Sequence, residues 1–211
     1  TNEIAQSEGA TGETFVRHWV HANFLTIPSE GDEEKRMGKS MGNVSTLSGL
    51  MDQKIHPLAY RLFCYSARYR QPLTFDLKAI RGAQKVLQGL YNFVRYAPES
   101  ADTERADWAA EYRARFDAAI NDDLNMPVAW AAVLEMVKHA NREGDPNVLI
   151  DLFEMDAVLG LRLAEIRGEE LDIPADVKDK VARREAAREN RDWATADAMR
   201  PDGVLVSDRR V

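Results

Sequence analysis

Across its 211 residues the sequence holds a single cysteine, Cys64. One thiol excludes an internal disulfide framework and fits a reducing, cytoplasmic setting. Cys64 lies in the apolar run Leu62-Phe63-Cys64-Tyr65, the surroundings of a buried, inert thiol rather than of a nucleophile. No apolar run approaches the ~20 residues of a membrane-spanning helix, so no membrane partner is expected. The first residues lack the charged-then-apolar layout of a secretion signal. Internal repeats are absent, and so is low-complexity sequence beyond charged stretches. What is there is 45% hydrophobic and 30% charged, the balance of a soluble, helix-rich chain rather than a disordered one. The length can bury a sizeable core and suits one large domain or two small ones.

The net charge of -7 would disfavour a polyanionic partner were it evenly spread. It is not. Residues 51–100 carry eight Lys/Arg against three Asp/Glu, while the segments on either side are acidic. An acidic protein can thus present a basic face to phosphates.

The pattern along the chain predicts a helical turn or two over Glu3–Glu8 and a strand over Phe15–Ile27, which is rich in aromatic and β-branched residues. A charged turn follows at residues 29–34. Helical signals begin at Leu47. Pro57 suits a first helical position, and that helix is expected to run to Tyr69, before Pro72. A long helix is predicted over Asp76–Tyr96, burying Leu77, Ile80, Val86, Leu87, Leu90, Phe93 and Val94. Further helices are predicted over Glu104–Ile120, Val128–Asn141 behind an Asn125 cap, and Val148–Leu159 after the break Gly144-Asp145-Pro146. Short connections make Leu77–Leu161 a helical bundle. Residues 168–174 read as an acidic linker, followed by a helix over Ala175–Asn190.

The run Arg36-Met37-Gly38-Lys39-Ser40-Met41-Gly42-Asn43 is a polar loop of small residues with cations at fixed spacing. Glycines let backbone N–H groups approach phosphate oxygens, and Lys39 adds a point charge. Upstream of it stand Asn2-Glu3-Ile4-Ala5-Gln6-Ser7-Glu8 and Phe15-Val16-Arg17-His18-Trp19-Val20-His21. Downstream come His56-Pro57-Leu58-Ala59-Tyr60-Arg61-Leu62-Phe63, Ala67-Arg68-Tyr69-Arg70 and Asn121-Asp122-Asp123-Leu124-Asn125-Met126-Pro127. In this order the segments resemble the C-terminal half of a cysteinyl-tRNA synthetase, a class I aminoacyl-tRNA synthetase, from Asn2 to about Arg200.

The resemblance implies a mainly α fold: a small mixed α/β remnant of a class I catalytic domain over 1–55, a connecting region and helical bundle over 56–167, and a small anticodon-binding-like module over 168–211. It implies ligation of cysteine to tRNA-Cys, with ATP and magnesium as substrate. The family's KMSKS-type signature corresponds to Arg36-Met37-Gly38-Lys39-Ser40. Arg36 replaces the family's first Lys, keeping charge but exchanging an ammonium for a planar fork. Gly38 replaces a Ser, removing a hydroxyl and loosening the backbone. Lys39 and Arg36 are then the expected catalytic residues, and Gly38, Lys39 and Ser40 the expected ATP contacts. Met37 packs the loop down.

The family also holds a zinc ion that binds the substrate thiolate, and Glu3 matches one ligand. The two cysteines and the histidine that complete that set are absent here, so Glu3 is a single ligand of an incomplete site. His18 and His21, three apart on a predicted strand, face opposite sides and do not read as a metal pair. No HIGH-type motif or opening Rossmann unit occurs, so these residues alone are not expected to form cysteinyl adenylate. Expected tRNA contacts are Arg68 and Arg70, interleaved with aromatics, together with Arg183, Arg184, Arg188 and Asp197. Trp193 is expected as a core anchor of the last module, and a monomer is the expected state. Two other functions fit the same residues: a non-catalytic truncated paralogue acting as a tRNA-binding or interaction module, and a cysteine ligase of mycothiol synthesis. The sequence after Pro174 argues against the ligase.

Overall fold

The computed structural model describes residues 2–27, 35–36, 46–169 and 175–199, with the backbone alone at 35, 36 and 102. The chain divides into two compact units, Thr1–Gly168 and Glu169–Val211. Helix dominates both.

The first unit opens with α1 (Asn2–Thr11), which buries none of its side chains. The strand expected over Phe15–Ile27 forms only at its end, as β1 (Leu25–Ile27). A strand needs a ladder of backbone partners, and the ladder pairs to β2 and β3 fall within these residues. Upstream, the Trp19 ring at the surface stacks on His21 and meets Phe15 at a tilt, with ring centroids 6.2 Å apart in each pair. β1 is the centre of a three-stranded sheet. It pairs antiparallel with β2 (Lys35–Arg36), setting Thr26 opposite Arg36, and parallel with β3 (Leu73–Thr74), setting Thr26 opposite Thr74. The buried Thr26 donates its hydroxyl proton to Thr74 Oγ1 at 3.2 Å, a cross-strand pair that reinforces the register.

Helix α2 (Leu47–Asp52) starts at Thr46, whose hydroxyl accepts from the Gly49 amide. Helix α3 (Pro57–Cys64) has Pro57 in its first turn, as expected, and is capped by His56 Nδ1 accepting from Leu58 N at 3.2 Å. It stops at Cys64, short of the expected Tyr69. Ser66 Oγ donates to the Phe63 carbonyl at 2.7 Å, taking an acceptor that further helix would have used. Helix α4 (Leu77–Arg95) begins at Asp76, whose carboxylate accepts from Lys78 N. Its buried side is Ile80, Leu87, Leu90, Tyr91 and Val94. Leu77 and Val86 turn outward, and Phe93 is half-buried.

Helices α5 (Ala109–Asn121) and α6 (Met126–Glu143) are joined by four residues and pack together through small side chains. Ala109, Ala119, Ala129, Ala132 and Ala140 are all buried. Alanines let the backbones approach closely. A larger residue at Ala132 would overpack this seam, an insertion that commonly destabilises by about 1–3 kcal/mol. Helix α5 starts at Ala109, not Glu104, because the preceding residues are tied elsewhere: Ala106 N donates to Asn147 O, and Arg105 reaches α7. Asn125 occupies the cap position of α6 without making a cap bond. Gly144 ends α6 in the left-handed region at φ 69°.

Helix α7 (Leu149–Leu159) ends at Gly160, also left-handed, and α8 (Leu163–Ile166) follows. This corner is fastened by side chains. Three consecutive carbonyls, those of Leu159, Gly160 and Leu161, accept from Tyr65 Oη, Arg61 and Tyr91 Oη respectively, the last at 2.9 Å. The half-buried Tyr65 has its phenol pushed up by burial. The buried Asp156 accepts from Leu161 N and Leu163 N, each at 2.7 Å. Gly160 is required twice over, since its φ is positive and a Cβ there would collide with the Arg61 guanidinium.

The second unit contains α9 (Ala175–Glu189) and α10 (Trp193–Ala198). Asp192 caps α10 by accepting from Thr195 N at 3.1 Å, and the Thr195 hydroxyl and amide hold its carboxyl below the usual range. Among the described residues of this unit Ala187 and Ala196 are buried, and Trp193 is 59% exposed rather than the expected core anchor. No helix among the described residues is long and apolar enough to cross a membrane.

Candidate nucleotide and nucleic-acid site

Arg36, where the signature-like run begins, lies on β2 beside β1. Gly38, Lys39 and Ser40 lie outside the described residues. What holds the ribbon is visible in the residue before it. Asn23 N donates to the Tyr69 carbonyl at 2.7 Å, and Asn23 Nδ2 donates to the Arg70 carbonyl at 3.0 Å. The parallel pairing continues the attachment, with Leu73 N donating to Phe24 O and Phe75 N to Thr26 O.

The segment that receives Asn23 is itself fixed by acids from the α5–α6 connection. Arg68 pairs with Asp122 at 2.9 Å. Arg70 forks onto Asp123, with Nε at 2.7 Å from Oδ2 and a terminal nitrogen at 3.2 Å from Oδ1. The Tyr69 hydroxyl donates to Asp123 Oδ1 at 2.7 Å. Arg70 chiefly, and then the Tyr69 hydroxyl, hold the Asp123 carboxyl down to about 2. The carboxylate in turn raises both the Tyr69 phenol and the Arg70 guanidinium. The paired arginine and aspartate side chains remain 41–66% exposed, so solvent and salt screen the pairs.

Asp123 and Leu124 both adopt left-handed backbone, at φ 51° and 53°. For residues other than glycine that conformation costs on the order of 1–3 kcal/mol each. The buried Asn125 supports the turn by donating Nδ2 to Asp122 Oδ2 at 3.0 Å. Arg68 and Arg70, the expected phosphate contacts, therefore already grip carboxylates that a phosphate must displace. The acidic partners were missed in the sequence. Their signal was an Asn-Asp-Asp run of opposite sign to the Arg-Tyr-Arg stretch.

On α3, Tyr60 is half-buried, and Arg61, though exposed, is committed to the Gly160 carbonyl. Tyr60 bonds with Cys64, and burial raises both groups. The half-buried thiol is thus held in its neutral, unreactive form. In the second unit, Arg183 and Arg188 are exposed and Arg184 half-buried on α9, and Asp197 is exposed on α10. Glu3 is exposed on α1, as are His18 and His21 downstream, and no three His, Cys, Asp or Glu among the described residues group as metal ligands. These residues do not fit a complete zinc site. An open cleft beside α2 is lined by Met51, Lys54, His56, Gln84, Gln88 and Tyr91.

The family model described as tRNA synthetases class I (C) catalytic domain matches residues 1–85, and the DALR domain model matches 115–164. The chain is 38% identical over 226 residues to a cysteine–tRNA ligase of Alkalilimnicola ehrlichii, covering 98% of this chain and 47% of that protein. It is 36% identical over 200 residues to cysteine–tRNA ligase 1 of Burkholderia lata (95% and 40%), and 34% identical over 222 residues to a cysteine–tRNA ligase of Burkholderia cenocepacia (99% and 46%). It therefore spans less than half the length of these relatives. A solved leucyl synthetase–tRNA complex from Agrobacterium radiobacter K84 aligns with TM-score 0.49 and 17% identity over 68% of this chain and 21% of that one, too slight a likeness to carry an argument. A class I catalytic segment and a DALR segment lie in one continuous chain, and over nearly all of its length that chain is similar to cysteine–tRNA ligases, class I aminoacyl-tRNA synthetases.

Proposed function

We propose that this chain supplies the phosphate-gripping loop and the tRNA-binding helices of a cysteine–tRNA ligase. The observation that carries this is the collinear match of the catalytic and DALR segments, with the signature-like run falling inside the first. Aminoacylation begins when the cysteine carboxylate attacks the α-phosphate of ATP. Charge accumulates on the pentavalent phosphorus and on the departing pyrophosphate. Lys39, assisted by Arg36, stabilises that charge more in the transition state than in the ground state, and only such differential binding raises the rate. Each tenfold gain needs about 1.4 kcal/mol of it. Gly38 allows close backbone approach, and Ser40 adds a hydroxyl donor.

The tRNA is bound by Arg68 and Arg70 on the first unit and by Arg183, Arg184, Arg188 and Asp197 on the second. The exposed Trp193 offers a face for base stacking. The activity needs a nucleotide-binding portion that these residues do not include, and ATP–pyrophosphate exchange by this chain alone is expected to be absent. Direct binding tests the assignment. tRNA-Cys, with its GCA anticodon, is expected to bind more tightly than other tRNAs and to weaken steeply with salt. Lys39→Ala is expected to weaken magnesium tripolyphosphate binding while changing tRNA affinity by less than about twofold. RNA binding indifferent to the anticodon would point instead to a general tRNA-binding paralogue. Absence of RNA binding at low salt would leave an interaction module.

A further inference from the structure

The run Asn121-Asp122-Asp123-Leu124-Asn125 has so far only a structural description, yet its geometry is unusual. Two successive non-glycine residues, Asp123 and Leu124, are left-handed there, and the carboxylates of Asp122 and Asp123 meet one short segment of another part of the unit. From Asp123 a continuous path of bonds leads to the signature ribbon. The carboxylate takes Arg70 and Tyr69 together. The carbonyls of those same two residues take the amide and the side-chain nitrogen of Asn23. Two residues later β1 begins, and β1 pairs with β2, which carries Arg36.

We propose that Asp123 is a positioning residue for the β1–β2 ribbon: by fixing residues 69 and 70 it sets where that ribbon, and so the backbone of Arg36, stands relative to the helical bundle. Its functional consequence rests on the phosphate-grip assignment made above; its structural content does not. The left-handed turn supports it. Backbone in that region persists only where the surroundings hold it, and here Arg68, Tyr69, Arg70 and Asn125 do so. The Arg70–Asp123 ion pair is largely exposed, so it adds little to global stability. It is suited to orienting the ribbon rather than to holding the fold.

The test uses the whole chain and the variants Asp123→Gly, Asp123→Asn and Lys39→Ala. Glycine removes the carboxylate while keeping the left-handed backbone available. Asparagine keeps an acceptor for Tyr69 and Arg70 but not the charge. Amide hydrogen exchange in Asp123→Gly is expected to rise about tenfold or more at Asn23, Leu73, Phe75 and in β1 and β2, and to stay unchanged in the buried stretches of α4 and α6. Asp123→Asn is expected to restore part of that protection. Magnesium tripolyphosphate is expected to bind Asp123→Gly at least about threefold more weakly than wild type. No selective change in exchange, or an equal rise throughout the unit, overturns the proposal. So does polyphosphate binding that depends on Lys39 but not on Asp123. If polyphosphate binding does not depend on Lys39, the phosphate-grip assignment fails instead, and the exchange pattern alone decides the role of Asp123.

Discussion

Two clusters of arginine and carboxylate sit in the same unit and do different work. In one, Arg105 and Arg113 converge on Asp151, whose side chain is 2% exposed, and Glu154 shares both cations. Arg105 chiefly holds the Glu154 carboxyl below its usual range. In the other, Arg68 and Arg70 meet Asp122 and Asp123, whose side chains are 61% and 47% exposed. The first cluster ties α5 and the segment before it to α7. Removing its buried acid strands polar groups away from full hydration. The second is bathed in solvent, contributes little Coulomb energy, and stays open to competition from salt or phosphate. The same residue types therefore mark a structural joint when the carboxylate is buried and an adjustable contact when it is not.

The largest effect that would break this contrast is in the buried cluster. Asp151→Ala is expected to destabilise the unit by about 2–3 kcal/mol in urea denaturation, somewhat below the 3–5 kcal/mol of a fully buried pair because both arginines reach solvent. Arg113→Met is next, at about 1 kcal/mol, since Arg105 still satisfies the buried acid. Asp123→Gly is expected to leave the urea-denaturation midpoint essentially unchanged, as for a typical exposed pair. A loss matching that of Asp151→Ala would erase the distinction. Raising salt to about 1 M is expected to accelerate amide exchange around residues 69 and 70 while leaving the α5–α7 contact unchanged.

The smallest and most local prediction concerns acid. The Asp123 carboxyl is depressed from 3.8 to about 2 in the folded chain. A depressed carboxylate stabilises the fold above its unfolded value, and that contribution is lost as pH falls through its folded value. Asp123 is therefore expected to titrate with a midpoint of about 2 in a side-chain NMR titration, leaving its contact intact across neutral pH. A midpoint near 3.8 would mean that Arg70 does not engage it in solution.

Much of the helical fold was legible because its determinants are local. Spacing alone selected Ile80, Leu87, Leu90 and Val94 as the buried side of α4, and Gly144 ended α6 close to its expected end. Tyr91 was not legible as core, because its hydroxyl is satisfied by a carbonyl 70 residues away. The strand predicted over Phe15–Ile27 is longer than the one that forms because β propensity describes a surface to be covered, and the ladder pairing is confined to Leu25–Ile27. Trp193 was misplaced for a related reason: an indole reads as core by type, but exposure depends on how much chain surrounds it. In the candidate site the signature-like run was visible from its own residues, whereas the acids that hold Arg68 and Arg70 lie more than 50 residues downstream. Charge order hinted at that pairing, but only folding brings the two stretches together.

The three fastened carbonyls at the end of α7 bear on how the molecule comes apart. Arg61 and Tyr65 fall in the segment matched to the catalytic domain, while Leu159 to Leu161 fall in the segment matched to the DALR domain. A family boundary drawn between them is therefore not a seam along which this chain can be cut. A calorimetric scan of the first unit should melt both segments in one cooperative transition, and a fragment ended between them would leave a frayed helix on one side and homeless phenols on the other.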